Sequence, residues 1–322
     1  MREVTFRSSG TTCAAWHLAG AGGAGGARDD FDGEGGRPCI VMAHGFGGTR
    51  DTGLLGYAEE FAAAGLDVLL FDYRGFGASS GTPRQRVSYR RQRADYHAAI
   101  AAARALDGVD PGRIVLWGTS YSGGHVVPVG VGDDRIAAAI ALTPAMDGLA
   151  ALRAIARHGG PGRLSPLIVH GLRDACRALV GRRPHHLPVV GAPGAVALIT
   201  SPGALAGYLA LAGPTWRNEV AARAALEVAF NRPTRDARHV RFPLLVQIGD
   251  HDTVAPPGAA HRAAERAGRW ARVVTYPVDH FDVYEGPWQQ RAVADQLTFL
   301  RRHLGDHVPD RPVHSVQEAA HP

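Results

Sequence analysis

Between residues 39 and 276 the chain repeats one pattern: a short, nearly continuous apolar run, a turn rich in Gly or Asp, then a longer stretch with helical spacing. The runs are CIVMA (39–43), DVLLF (67–71), IVLW (114–117), 136–142, LLVQI (244–248) and RVVTY (272–276). Each is too short for a helix and too uniformly apolar for a strand with one wet face, so the pattern predicts parallel strands covered on both sides. Helices are expected over 54–64, 95–106 and 287–304, which completes a strand–helix alternation of the doubly wound α/β kind. Residues 3–18 alternate apolar and polar around Ser9-Gly10 and predict an opening β-hairpin.

The alternation breaks between 144 and 238, a Pro- and Gly-rich segment with helix-like patches at 146–155 and 219–230. We expect a largely helical cap inserted before the strand that begins at 244. The expected organisation is thus core over 1–143, cap over 144–238, core again over 239–305, and a frayed tail over 306–322. Residues 19–36 are Gly/Ala-rich with four acids, Asp29, Asp30, Asp32 and Glu34, and predict a flexible surface loop.

Composition narrows the function classes. A length of 322 residues fits one catalytic domain with an insertion, and 45% hydrophobic with 20% charged residues is ordinary for a soluble enzyme. The formal charge is +5, yet all 35 basic residues are arginine, and they occur singly or in pairs. No dense basic run tracks a phosphate backbone, so nucleic acid is not an expected partner. Three cysteines, Cys13, Cys39 and Cys176, without metal-ligand spacing predict neither a disulfide framework nor a zinc site. The first residues lack the apolar core of a signal peptide, and no apolar run reaches the ~18 residues of a membrane span. These features together predict a cytoplasmic protein.

Every chemically suggestive turn follows a predicted strand at its carboxyl end, where open α/β sheets hold their ligands. Gly118-Thr-Ser120-Tyr-Ser122-Gly lies between a strand and a helix, the sharp turn that exposes a nucleophilic serine. Ser122 stands where the usual G-x-S-x-G pattern has glycine; it is small enough for a structural place in the turn. The base is expected at His280, after the run 272–276; His125 lies a turn into the helix, and His185 and His186 fall in the cap. The acid that orients the base is expected at Asp252, with Asp250 ordering its turn and Asp147 as a further alternative. Oxyanion donors are expected at the backbone N–H of Phe46, in the turn His44-Gly-Phe46-Gly-Gly, and of Tyr121, with His44 structural. Within the cap, Leu205, Tyr208 and Trp216 are candidate substrate contacts.

The motifs HGFGG, DYRGFGASSG, GTSYSGGH, GDHDTVAP and DHFDVYEG resemble the α/β-hydrolase superfamily over nearly the whole chain. Within it they resemble a bacterial branch near dienelactone-hydrolase-like proteins, X-Pro dipeptidyl-peptidase-type esterases and fungal polyketide transferases. The resemblance implies a Ser–Asp–His triad, an acyl-enzyme intermediate and no cofactor or metal. Haloalkane dehalogenases and epoxide hydrolases use an aspartate, and dienelactone hydrolases proper a cysteine, where this chain has Ser120. The expected activity is hydrolysis of a small to medium, moderately apolar carboxylic ester. Acyl transfer or thioester cleavage by the same triad is the alternative, and a ligand-sensing protein with little turnover is the alternative of another class. Fold alone does not choose among them, and oligomeric state is left open.

Overall fold

The computed structural model describes residues 1–21, 31 and 35–305; the expected flexible loop is mostly, and the expected tail wholly, outside them. The chain opens with β1 (Arg2–Ser8) and β2 (Thr11–Leu18), paired antiparallel around Ser9-Gly10. Both turn residues have positive φ, 46° and 80°, the primed geometry that suits a tight hairpin. Then follow β3 (Arg37–Ala43), α1 (Leu55–Ala63), β4 (Asp67–Phe71), α2 (Tyr89–Arg104), β5 (Val109–Thr119), α3 (Ser120–Val131) and β6 (Ile136–Leu142). The chain next builds α4 (Gly148–Gly159), α5 (Leu164–Leu179), β7 (His186–Leu187), α6 (Ala204–Leu211), β8 (Val220–Ala221) and α7 (Ala224–Glu227). It closes with β9 (Leu244–Gly249), α8 (Pro257–Ala267), β10 (Ala271–Tyr276) and α9 (Gly286–Leu304).

Eight strands form one sheet in the order β1-β2-β4-β3-β5-β6-β9-β10, parallel from β4 to β10. Successive side chains in a strand face opposite sides, and the central strands split accordingly. Val41, Leu69, Leu116, Ala139 and Val246 pack on one face with Tyr96 and Ile100 of α2 and Val126 of α3. Ile40, Leu70, Val115, Trp117, Ile140 and Leu245 pack on the other with Tyr57 and Phe61 of α1 and Phe299 and Leu300 of α9. β10 departs from the expectation of a strand buried on both sides: as the sheet edge, most of its residues are exposed or half-buried.

α2 begins six residues before the expected start at 95. Its first residues are polar, Tyr89-Arg-Arg-Gln-Arg, and carry no apolar period, although the extended Ser88 (φ −151°) marks the entry. Between β6 and β9, α5 spans sixteen residues outside the expected helical patches, and the patch at 219–230 holds β8, the four-residue α7 and a single 3-10 turn at Val228–Phe230 instead of one continuous helix. This segment is organised by Asp174, fully buried, which accepts from Arg223 Nε (2.6 Å) and Nη2 (3.0 Å) and from the amide of His185 (2.8 Å). Such a pair holds its geometry because breaking either half strands a buried charge. Among the described residues, no helix is long and apolar enough to cross a membrane.

Candidate active site

β5 ends at Thr119 and α3 starts at once with Ser120, whose φ is +54°. A non-glycine residue in the left-handed region is strained, and the surroundings hold it there: the Ser120 carbonyl accepts from the Ala145 amide (2.8 Å). Gly118 has no room for a side chain, since a Cβ would lie 2.3 Å from the Ser122 carbonyl oxygen. Ser122 is fully buried; its Oγ donates to the Ala43 carbonyl (2.7 Å) and accepts from the Thr119 amide (2.9 Å). A hydroxyl at this position thus ties the start of α3 to the end of β3, which glycine could not do.

His280 follows β10, 2% exposed, and its Nε2 lies 3.0 Å from Ser120 Oγ. Its Nδ1 lies 2.6 Å from Asp252 Oδ2, and Asp252 Oδ1 accepts from the amides of Val254 (2.8 Å) and Ala255 (2.6 Å). Ser120, His280 and Asp252 therefore form one buried hydrogen-bonded chain. The other candidates lie elsewhere. Asp250 is exposed, and Asp147 caps α4 through the amides of Leu149 (2.9 Å) and Ala150 (3.2 Å) while pairing with Arg232 (3.0 Å). His125 is buried, with Nε2 on Gln92 (3.1 Å), and burial lowers its pKa far enough to keep it neutral. His185 stands 2.6 Å from His170, in the segment between β6 and β9, and His186 belongs to β7 in that same segment.

The residue that orders the turn of Asp252 is Asp279, not Asp250 as expected. Its carboxylate accepts from the Thr253 amide (2.9 Å) and from the His280 amide (2.7 Å), stapling the loop of Asp252 to that of His280. Its position in Asp279-His280 was the available signal. Tyr284 bonds Thr119 Oγ1 (2.6 Å) beneath the elbow, and Tyr57 of α1 donates to the Val283 carbonyl (2.6 Å).

After β3, Gly45 presses on the elbow: a Cβ there would lie 3.1 Å from Ser120 Cβ. His44, buried and held neutral by desolvation, places Nδ1 3.0 Å from the Gly45 carbonyl. Phe46 and Tyr121 meet edge to face (5.3 Å between centroids) beside Ser120. The Tyr121 N–H belongs to the first turn of α3, whose donors have no partner within the helix.

A small cavity opens over Ser120 and His280, walled by Phe46, Thr52, Ile199, Tyr208, Leu211, Phe281 and Tyr284 among others. Among the described residues, no Arg, Asp or Glu lines it. Of the three apolar contacts expected in the cap, Tyr208 lines this cavity, whereas Leu205 and Trp216 do not. Both are half-buried against the core, and Trp216 stacks on the ring of Tyr208 (5.1 Å, 24°). Ile199, Leu211 and Phe281 take their places; their contribution depends on how the chain folds back over the sheet, which sequence spacing does not encode.

A mostly parallel sheet with a strained strand-to-helix serine turn, a histidine and a carboxylate at its carboxyl edge defines an α/β-hydrolase. Residues 35–278 match the family described as Serine aminopeptidase, S33, and the chain belongs to that family. It is 40% identical over 267 residues to the quorum-quenching protein AidA of Acinetobacter baumannii, covering 82% of this chain and 86% of that one. It is 32% identical over 159 residues to the polyketide transferase grgF of a Penicillium species, 49% of this chain and 51% of the relative. The crystal structure of the α/β hydrolase GrgF superposes with a TM-score of 0.76 at 23% identity, covering 94% of this chain and 98% of that one.

Proposed function

We propose that the protein is a serine hydrolase that cleaves an uncharged carboxylic ester through an acyl-enzyme. The observation that carries the reading is the buried chain Ser120–His280–Asp252, with spacings of 3.0 and 2.6 Å, on the floor of a cavity without charged side chains. Ser120 Oγ attacks the ester carbonyl as His280 Nε2 takes its proton. Asp252 holds the imidazole in the productive tautomer and balances the imidazolium. The N–H groups of Phe46 and Tyr121 stabilise the oxyanion. Collapse of the tetrahedral intermediate breaks the bond to the alkoxy oxygen, which leaves with the proton from His280. Water, deprotonated by His280, then attacks the acyl-serine, and the acid departs as Ser120 regains its proton.

The cavity supports an ester over a peptide. An aminopeptidase must hold an N-terminal ammonium, and the wall around Ser120 offers no carboxylate for one. Its Ile, Leu, Phe and Tyr side chains suit a small to medium apolar acyl group. The three cysteines are all free thiols, Cys176 exposed, which fits a reducing, cytoplasmic setting. Steady-state turnover of short p-nitrophenyl esters tests the reading: sustained turnover, with fluorophosphonate labelling at Ser120, is expected. Absence of both would overturn it in favour of a sensing role. The likeness to a polyketide transferase supports a second reading, in which an alcohol, amine or thiol replaces water as acceptor. Added acceptors appearing in the product would favour transfer; free acid alone would favour hydrolysis.

A further inference from the structure

Three consecutive carbonyls of the turn after β3, those of Gly45, Phe46 and Gly47, each have a partner. The Gly45 carbonyl accepts from the Gly48 amide (3.3 Å) and faces His44 Nδ1 (3.0 Å). The next two carbonyls are taken by side chains from the distant segment between β6 and β9. Tyr208 OH donates to the Phe46 oxygen (2.7 Å), and Trp216 Nε1 donates to the Gly47 oxygen (3.0 Å). The two rings stack at 5.1 Å, so the donors behave as one body. A further tie follows directly: the Thr215 amide donates to Asp51 Oδ2 (2.9 Å).

Peptide units are planar and trans, so C=O and N–H point in opposite directions. Fixing three consecutive carbonyls fixes three consecutive planes, and no rotation remains at Phe46 or Gly47 that would not break a bond. The Phe46 N–H shares its plane with the Gly45 carbonyl, which the Gly48 N–H holds; Tyr208 and Trp216 fix the next two planes, and the second of these carries that Gly48 N–H.

We infer that Tyr208 and Trp216 are positioning residues that clasp the turn carrying the Phe46 N–H and hold it aimed at the developing oxyanion. The inference rests on the hydrolase reading above, in which that N–H is an oxyanion donor. Tyr208 also meets Phe281 edge-on (5.8 Å), beside His280, so one ring braces the oxyanion turn and the base loop together. The clasp acts on the intermediate and not on substrate binding. Its signature is a fall in kcat shared by all acyl lengths.

Tyr208→Phe removes the hydroxyl and keeps the ring that faces the cavity; Trp216→Phe removes the indole donor and keeps a stacking partner. Losing an oxyanion donor outright costs ~10²–10³ in kcat, so loosening one should cost on the order of 10-fold in each variant, with KM within about two-fold. The double variant should lose less than the product of the two, because both bonds hold the same turn. The Ki of a trifluoromethyl ketone, which forms an oxyanion on Ser120, should rise by the same factor as kcat falls, while inhibition by the product acid stays unchanged. Amide hydrogen exchange over residues 46–50 should quicken in both variants, and this arm reads the clasp whatever the reaction. Unchanged exchange with unchanged kcat overturns the inference. A loss confined to some acyl lengths, with an unchanged Ki, overturns it too and makes Tyr208 a substrate contact. Ester turnover and labelling of the unaltered enzyme report separately on the hydrolase reading.

Discussion

At the carboxyl edge of the sheet, position is set by backbone. Gly118 admits the Ser122 carbonyl, Gly45 admits Ser120, and the Ala145 amide fixes the strained turn between β5 and α3. Across the cavity, the segment between β6 and β9 works through side chains: Tyr208 and Leu211 of the short helix α6, and Trp216 of the loop after it, reach the turn after β3 or the cavity wall. A backbone-built edge tolerates few residue types and so leaves motifs in the sequence. A side-chain-built wall can be assembled in many ways and leaves almost none. The first region should therefore decide whether chemistry occurs, and the second how well and on what.

The sharpest break of that contrast would come from Ser120→Ala. It should lower kcat by ~10⁴-fold or more and abolish fluorophosphonate labelling, with the fold retained by circular dichroism. Labelling that persists in this variant would remove Ser120 from the centre of the comparison. Asp252→Asn comes next, with a loss that can reach ~10⁴-fold, because an amide stabilises the wrong histidine tautomer. Asp250→Asn, at an exposed side chain, should change kcat little; the reverse ranking in paired kinetics would reassign the acid.

Effects in the other region should be smaller and selective. Leu211→Ala enlarges the cavity wall and should shift preference toward longer acyl chains by ~10- to 200-fold in kcat/KM. Leu205→Ala, at a half-buried residue away from the cavity, should lower Tm and leave the acyl-length ranking alone. An acyl-length profile of both variants checks the pair, and a shared response would dissolve the distinction between wall and packing. The smallest effect is expected from Ser122→Ala, which strands the Thr119 amide and costs about 1–3 kcal/mol of stability. Its denaturation midpoint should fall while labelling stays at Ser120.

The sheet was legible because its strands are apolar on both faces and punctuated by Gly and Asp; the strands containing 39–43, 67–71, 114–117 and 244–248 all lie where those runs lie. β10 was legible as a strand but not as an edge, since Val273 and Val274 read the same whether or not another strand covers them. The pairing of Ser120 with His280 and Asp252 was readable from the order of turns after strands. The roles of Tyr208 and Trp216 were not. A tyrosine or tryptophan amid Gly, Ala and Pro carries no mark of which carbonyl it will find, and these meet partners 162 and 169 residues away. α5 was missed for a related reason. It breaks its apolar period with Arg173, Asp174 and Arg177, and Asp174 is buried only because Arg223, far along the chain, reaches it.

Asp279 has a consequence for anyone who would rebuild this enzyme. One carboxylate holds both the Thr253 amide in the loop of Asp252 and the amide of His280, so the two loops are a single part made from two pieces of chain. A graft, an insertion or a shuffled crossover falling between β9 and β10 would inherit one half of that joint without its mate. Recombination with relatives should succeed only when 249–254 and 278–282 travel as one cassette, and chimaeras divided between them should fold yet carry an acid and a base that no longer face each other.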